Sequence, residues 1–257
     1  MVGFMRPFRL RRFAFILDGM TEQIATSSRM TKQAKAGPKA AGTKGGKRTE
    51  SDLKLPSGAE KTRQLVMQAA RSEFAARGLA GARVDVIARR AGVNKQALYY
   101  HFGNKEELFR TALIGGYEAT RQRNLMLDVS ELAPEAALRR IIDDMFVRIK
   151  DNRDMMALIL DENRFAGKHV ASPIRHVIEP LLRNIGDAIS RGEKDGVFRA
   201  GLKADQLYID IVSMCMLYFS NIHTMSALLG KTLDTPAAVA KRRRHVAEFI
   251  LAAVRRS

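Results

Sequence analysis

Twenty residues, Arg83 to Phe102 (RVDVIARRAGVNKQALYYHF), constrain this chain more than any other stretch. Val84, Ile87, Ala88 and Ala91 recur at helical spacing and give a short helix one apolar side. Gly92 follows as the residue able to take positive φ where that helix must stop. Asn94 suits the N-cap of a second helix, because its side-chain oxygen can accept from first-turn N–H groups. On that second helix Leu98 and Phe102 share the inner side, Gln96, Tyr99 and Tyr100 point away, and Lys95 and Ala97 lie on the flanks. An amide, two phenols and a cation on one outer face are groups that bond base edges and phosphates. A helical hairpin inside an all-α core would show the same periodicity, with Tyr99, Tyr100 and His101 as amphipathic packing.

The order of residues separates these two readings. Ala88, Ala91, Gly92, Val93, Asn94, Leu98, Tyr99, His101 and Phe102 are followed by Lys105, Glu106 and Leu108. In these positions the chain resembles the DNA-binding domain of the TetR-type bacterial transcriptional regulators, strongly over Ala59 to Leu113 and more loosely beyond. The resemblance implies an all-α protein: an N-terminal three-helix helix-turn-helix DNA-binding domain, then a C-terminal helical ligand-binding and dimerisation domain. It implies a repressor released from its operator by a small-molecule effector. Where the family usually has Thr or Ser, this chain has Arg83, which loses the helix cap but could meet the same phosphate with a bidentate guanidinium. The helix start at that point is therefore in question.

Charge supports a polyanionic partner. The formal charge is +17, and residues 1–55 hold 12 Lys/Arg against 4 Asp/Glu while residues 56–115 hold 10 against 5, so the excess gathers toward the amino-terminal half. Charge alone does not separate nucleic acid from an anionic membrane surface. The single cysteine, Cys215, precludes an intrachain disulfide and lies in an apolar segment, which reads as buried packing in a reducing compartment.

Residues 1–55 read as a disordered basic extension. Four arginines precede Phe13 to Leu17, a run too short to span a membrane and without a convincing cleavage site, and translation from Met20 or Met30 would remove it. Met30 to Lys54 is Lys, Ala, Gly and Thr without periodicity. The stretch GTKGGKR lacks the glycine at Ala41 and the hydroxyl at Arg48 that a phosphate-cradling loop needs. The extension is either a solvated tail or an arm adding non-specific phosphate contacts.

Pro56 and the capping box Ser57 to Glu60 open the folded part, a DNA-binding domain over 56–115 with its helix-turn-helix at 83–102. Gly78 is placed to end the first helix, with Leu79 folding back. Asn104 and Glu107 form another capping box, which holds the cation Lys105 at a helix N-terminus; opposing the dipole there makes sense beside a phosphate. Residues 116–257 read as the all-helical ligand-binding and dimerisation domain, with helices near 105–123, 133–151, 153–164, 173–194, 204–229 and 236–254. The run 204–229 is apolar nearly all round but contains Asp210, Asn221 and His223, so burial among helices accounts for it better than a membrane. The resemblance assigns the last two helices to a four-helix homodimer interface; a purely intrachain core is the alternative.

No catalytic constellation is present, the histidines lack metal-ligand spacing, and no cofactor motif occurs. The expected DNA-binding residues are Arg83, Asn94, Lys95, Gln96, Ala97, Tyr99, Tyr100, His101 and Lys105. Lys95 suits guanine acceptors, Gln96 adenine and Ala97 a thymine methyl, with the tyrosines, His101, Arg83 and Lys105 mostly on phosphates. A ligand pocket could be lined by Met145, Met155 and Phe165, since methionine re-packs around varied shapes, with Asn163 or His223 as polar handles; ordinary core packing is the competing account. The leading function is a ligand-controlled dimeric transcription factor on a palindromic double-stranded operator, cytoplasmic and nucleoid-associated. A constitutive DNA-packaging protein and a helical-bundle enzyme are the alternatives, the latter without any site in the sequence.

Overall fold

The computed structural model describes residues 58–170 and 174–256. The basic extension 1–55, the Ser57 cap and Pro173 lie outside the described residues. Within them the fold is all-α, with helices α1 (Gly58–Gly81), α2 (Val84–Ala91), α3 (Lys95–Phe102), α4 (Lys105–Met126), α5 (Pro134–Asp151), α6 (Arg153–Asn163), α7 (Arg175–Lys194), α8 (Ala204–Ser220), α9 (Ile222–Leu228) and α10 (Pro236–Val254). The backbone leaves helical geometry inside α1 at Gly78 (φ 65°, ψ 172°), the position whose glycine tolerates that conformation.

The described residues form two compact units, one of residues 58–69 with Val84–Asn104, the other of Ala70–Arg83 with the described residues from Lys105 onward. In the first, α2 packs on α3 and buries Val84, Ile87, Ala88 and Ala91, while α3 buries Leu98. In the second, α5 turns Ala137, Leu138, Ile141, Ile142, Met145 and Phe146 inward at helical spacing. These join Leu181, Ile185, Ile211, Cys215, Val246 and Ile250 from α7, α8 and α10 in one core. Phe74 near the end of α1 meets Phe109 of α4 edge to face at 5.1 Å.

On helix limits, two expectations change and one open point is answered. The helix expected over 105–123 continues to Met126, where Asn124 is buried and donates to Val177 O at 3.0 Å. The expected single helix 204–229 is two, bent by 74° across Asn221. Asn221 donates through Nδ2 to Ser220 Oγ at 2.8 Å and Leu217 O at 3.3 Å, a local side-chain alternative to the helix ladder that periodicity does not register. Third, α2 starts at Val84 despite the missing Thr or Ser, because Glu73 Oε1 accepts from Arg83 N at 3.3 Å. A carboxylate from the preceding helix thereby takes the N–H that a capping-box glutamate usually takes.

Candidate nucleic-acid interface

The turn between α2 and α3 is closed by the backbone. Gly92 takes φ 69°, Gly92 N donates to Arg89 O at 3.2 Å and Val93 N to Ala88 O at 3.0 Å. Asn94 then caps α3, its Oδ1 accepting from Gln96 N at 2.8 Å. Gly103 closes the other end through its N–H to Tyr99 O at 2.8 Å. No acidic residue occupies the first turn of α3, so its positive dipole end carries no side-chain anion to repel phosphate.

The outer face of α3 is the one its spacing gives. Leu98 is 3% exposed, whereas Tyr100 is 71% and Tyr99 41% exposed, with Lys95 and Gln96 open to solvent and Ala97 half-buried. Lys95 Nζ lies 5.8 Å from the Tyr99 ring centre, a cation–π distance that steadies both at the surface. Tyr100 and His101 meet edge to face at 5.2 Å. Burial pushes His101 below the usual histidine range, which favours the neutral imidazole and makes it a hydrogen-bonding group more than a cation.

Lys105 stands differently from its sequence expectation. Its ammonium donates to Ala80 O at 2.9 Å and Ala82 O at 3.4 Å, so it satisfies carbonyls in the turn before α2. An ammonium has three N–H donors, and two such bonds still leave capacity for a phosphate. Arg83 is exposed beside the same turn.

The residues expected around a ligand stand in separate surroundings. Met145 is part of the core between α5 and its neighbours. Met155 is buried over α4, where a Cβ on Gly116 would meet its Sδ at 2.3 Å. Phe165 meets His169 edge to face at 5.5 Å. Asn163 is exposed and donates to Ile159 O of its own helix at 2.8 Å, and His223 is exposed on α9. A surface cavity of about 350 Å³ is lined by Val129, Ser130, Asn184, Asp187, Ser190 and Arg191, none of them among the five.

Sequence reasoning missed the buried polar groups. Glu162 accepts from His169 N and pairs with its Nδ1, both at 2.6 Å, and His169 Nε2 is buried with no hydrogen-bond partner. Arg148 bonds Asn124 Oδ1 at 2.5 Å and faces Asp144 at 2.9 Å. Burial, with Tyr208 and Glu162 nearby, pushes the Tyr117 phenol up to about 12. Arg148 and Asn124 lie 24 residues apart, and even the nearer pairs, Glu162 with His169 and Asp144 with Arg148, showed locally only as a charge or imidazole within or beside an otherwise apolar helix.

A short helix capped by Asn94, seated on α2 and presenting amide, phenol and ammonium groups outward, defines a helix-turn-helix DNA-binding protein. The profile described as "Bacterial regulatory proteins, tetR family" matches residues 66–112, and that described as "Tetracyclin repressor-like, C-terminal domain" matches residues 134–250. The chain is 50% identical over 155 residues to the HTH-type transcriptional repressor SCO4008 of Streptomyces coelicolor, covering 60% of this chain and 77% of that one. It is 29% identical over 203 residues to the HTH-type transcriptional repressor NicS of Pseudomonas putida, covering 77% of this chain and 94% of the relative. A TetR transcription regulator from Haloarcula marismortui shares the fold, with a TM-score of 0.56 at 20% identity over 77% of this chain and 100% of that one. The chain belongs to the TetR family of helix-turn-helix transcriptional regulators. Among the described residues no single helix is long and apolar enough to cross a membrane; the bent pair α8 and α9 passes that test only jointly.

Proposed function

We propose that this regulator is a homodimeric repressor that reads a palindromic operator in the cytoplasm and is released by a small-molecule effector, with no catalytic step, metal or cofactor of its own. Residues 56–115 serve as the reading domain and residues 116–257 as the ligand-binding and dimerisation domain. The observation that carries the reading is the outer face of α3, where Lys95, Gln96, Tyr99 and Tyr100 stand open around a buried Leu98. Lys95, Gln96 and Ala97 then meet base edges. Arg83, Asn94, Tyr99, Tyr100, His101 and Lys105 hold the backbone and fix register.

Dimerisation is supported by apolar side chains left on α8 and α10, with Ile209 52%, Leu217 53% and Phe249 57% exposed. A two-fold pair places its reading helices one DNA turn apart, about 34 Å. For the effector, Met145 and Met155 supply buried, adaptable walls, while Asn163, Phe165 and His223 must turn inward to contribute. By linkage, operator DNA weakens effector binding by the factor through which effector weakens operator binding.

Selection of duplexes from a random pool tests the reading. The selected site should bind far more tightly than unselected DNA at the same salt, and a ratio near one would reject sequence-specific regulation in favour of DNA packaging. Gln96→Ala should cost about 1–3 kcal/mol on the selected site only, whereas Tyr99→Ala should weaken both duplexes.

A further inference from the structure

The chain passes into the helix-turn-helix at Val84, and the residues just before it are held by charged side chains from elsewhere in the sequence. Ser72 Oγ donates to Asp154 Oδ2 at 3.0 Å, and Leu79 N donates to Asp161 Oδ2 at 2.7 Å. Both bonds join residues 82 apart, so the Ala70–Gly81 part of α1 and helix α6 run side by side in the same direction. The second bond falls on the break in α1. Gly78 takes φ 65°, and a Cβ there would stand 3.2 Å from Asp161 Oδ2, so the carboxylate sits directly on the turn.

The rest of the turn is tied in the same manner. Lys105 Nζ takes Ala80 O and Ala82 O, and Glu73 Oε1 takes Arg83 N. Donors and acceptors that a glycine break would otherwise leave to water are thus matched to ionised side chains, which make stronger hydrogen bonds than neutral ones. Asp161 differs from the other two in its origin. Glu73 and Lys105 flank the helix-turn-helix in sequence, whereas Asp161 comes from α6.

We propose that Asp161 is a positioning residue for DNA reading: by holding the Leu79 amide it fixes the backbone that leads into the helix-turn-helix at Val84. The next residue, Glu162, holds His169 through two bonds of 2.6 Å, so the last turn of α6 carries the clasp and a buried polar pair on adjacent positions. The proposal rests on the DNA-reading assignment and not on the existence of an effector.

The test compares Asp161→Ala with Arg164→Ala, using a duplex selected by the unmodified protein and an unselected duplex at one salt concentration. Arg164 pairs with Asp161 at 3.5 Å but is 80% exposed, so its removal leaves the acceptor of the Leu79 amide in place. Asp161→Ala, which removes the acceptor of the Leu79 amide, should lower the selected-to-unselected affinity ratio about tenfold while unselected binding stays within about threefold, because phosphate contacts survive a loss of alignment that base contacts do not. Arg164→Ala should leave the ratio within about twofold, as expected for an exposed ion pair. Hydrogen exchange at the Leu79 amide should be as slow in the unmodified protein as in the core of α4, and faster in Asp161→Ala. An unchanged ratio in Asp161→Ala, or an equal fall in Arg164→Ala, overturns the proposal. Should Asp161→Ala not fold, fast exchange of the Leu79 amide in the unmodified protein overturns it, and slow exchange with a reduced ratio in Asp161→Glu supports it. A ratio near one for the unmodified protein removes the DNA-reading assignment and the proposal with it.

Discussion

Replacing Asn94 with alanine removes the one side-chain bond that caps the reading helix, the 2.8 Å contact from Oδ1 to Gln96 N. Helix α3 has 8 residues, too few to be stable by itself, so its first turn depends on that cap and on packing through Leu98. Loss of an Asn cap to alanine costs about 1 kcal/mol, within a range of roughly 0.5–2. The cost falls where Lys95 and Gln96 must be held, since those are the first two residues of the helix. A loss of about 1 kcal/mol is about fivefold in an equilibrium constant, so the dissociation constant for a selected duplex should rise about fivefold, with bounds near 2-fold and 30-fold. Unselected DNA should be affected less, because backbone contacts tolerate a frayed turn. Fluorescence anisotropy at fixed salt measures both, and Asn94→Ser, which restores a cap without adding charge, should recover most of the loss. If Asn94→Ser binds no better than a weakened Asn94→Ala, or if Asn94→Ala binds as the unmodified protein does, capping is not how Asn94 serves the reader.

Gly192→Ala would bring a Cβ to 2.0 Å from Cδ2 of the buried Phe198, and overpacking of this kind should lower stability by about 1–3 kcal/mol; thermal melting that shows no loss refutes the packing argument. Burial pushes the Cys215 thiol up to about 12, so at pH 8 the native protein should react with iodoacetamide far more slowly than denatured protein, and rapid native labelling would show the site to be open. Phe249→Asp puts a charge on the exposed apolar face of α10 and should shift sedimentation toward monomer and weaken operator binding together; a dimer that persists would move the interface elsewhere.

The reading helix was legible because its determinants are local. A cap at Asn94, a glycine at the corner and apolar residues at 3.6-residue spacing fix which face of α3 is buried, and the exposed set of Lys95, Gln96, Tyr99 and Tyr100 follows from them. The order of residues from Ala88 to Leu108 likewise sufficed for the family. The break at Asn221 was less legible, since the same side chain can sit within a helix or compete with its backbone, and packing around it decides. What only the tertiary structure decided was partnership: that the ammonium of Lys105 closes the Ala80–Ala82 turn, that Asp161 holds the Leu79 amide from 82 residues away, and that Glu162 encloses His169. Periodicity states which side of a helix is apolar. It does not state which helix will lie opposite, and a charged side chain acquires its role only from the groups that the fold brings within hydrogen-bonding reach.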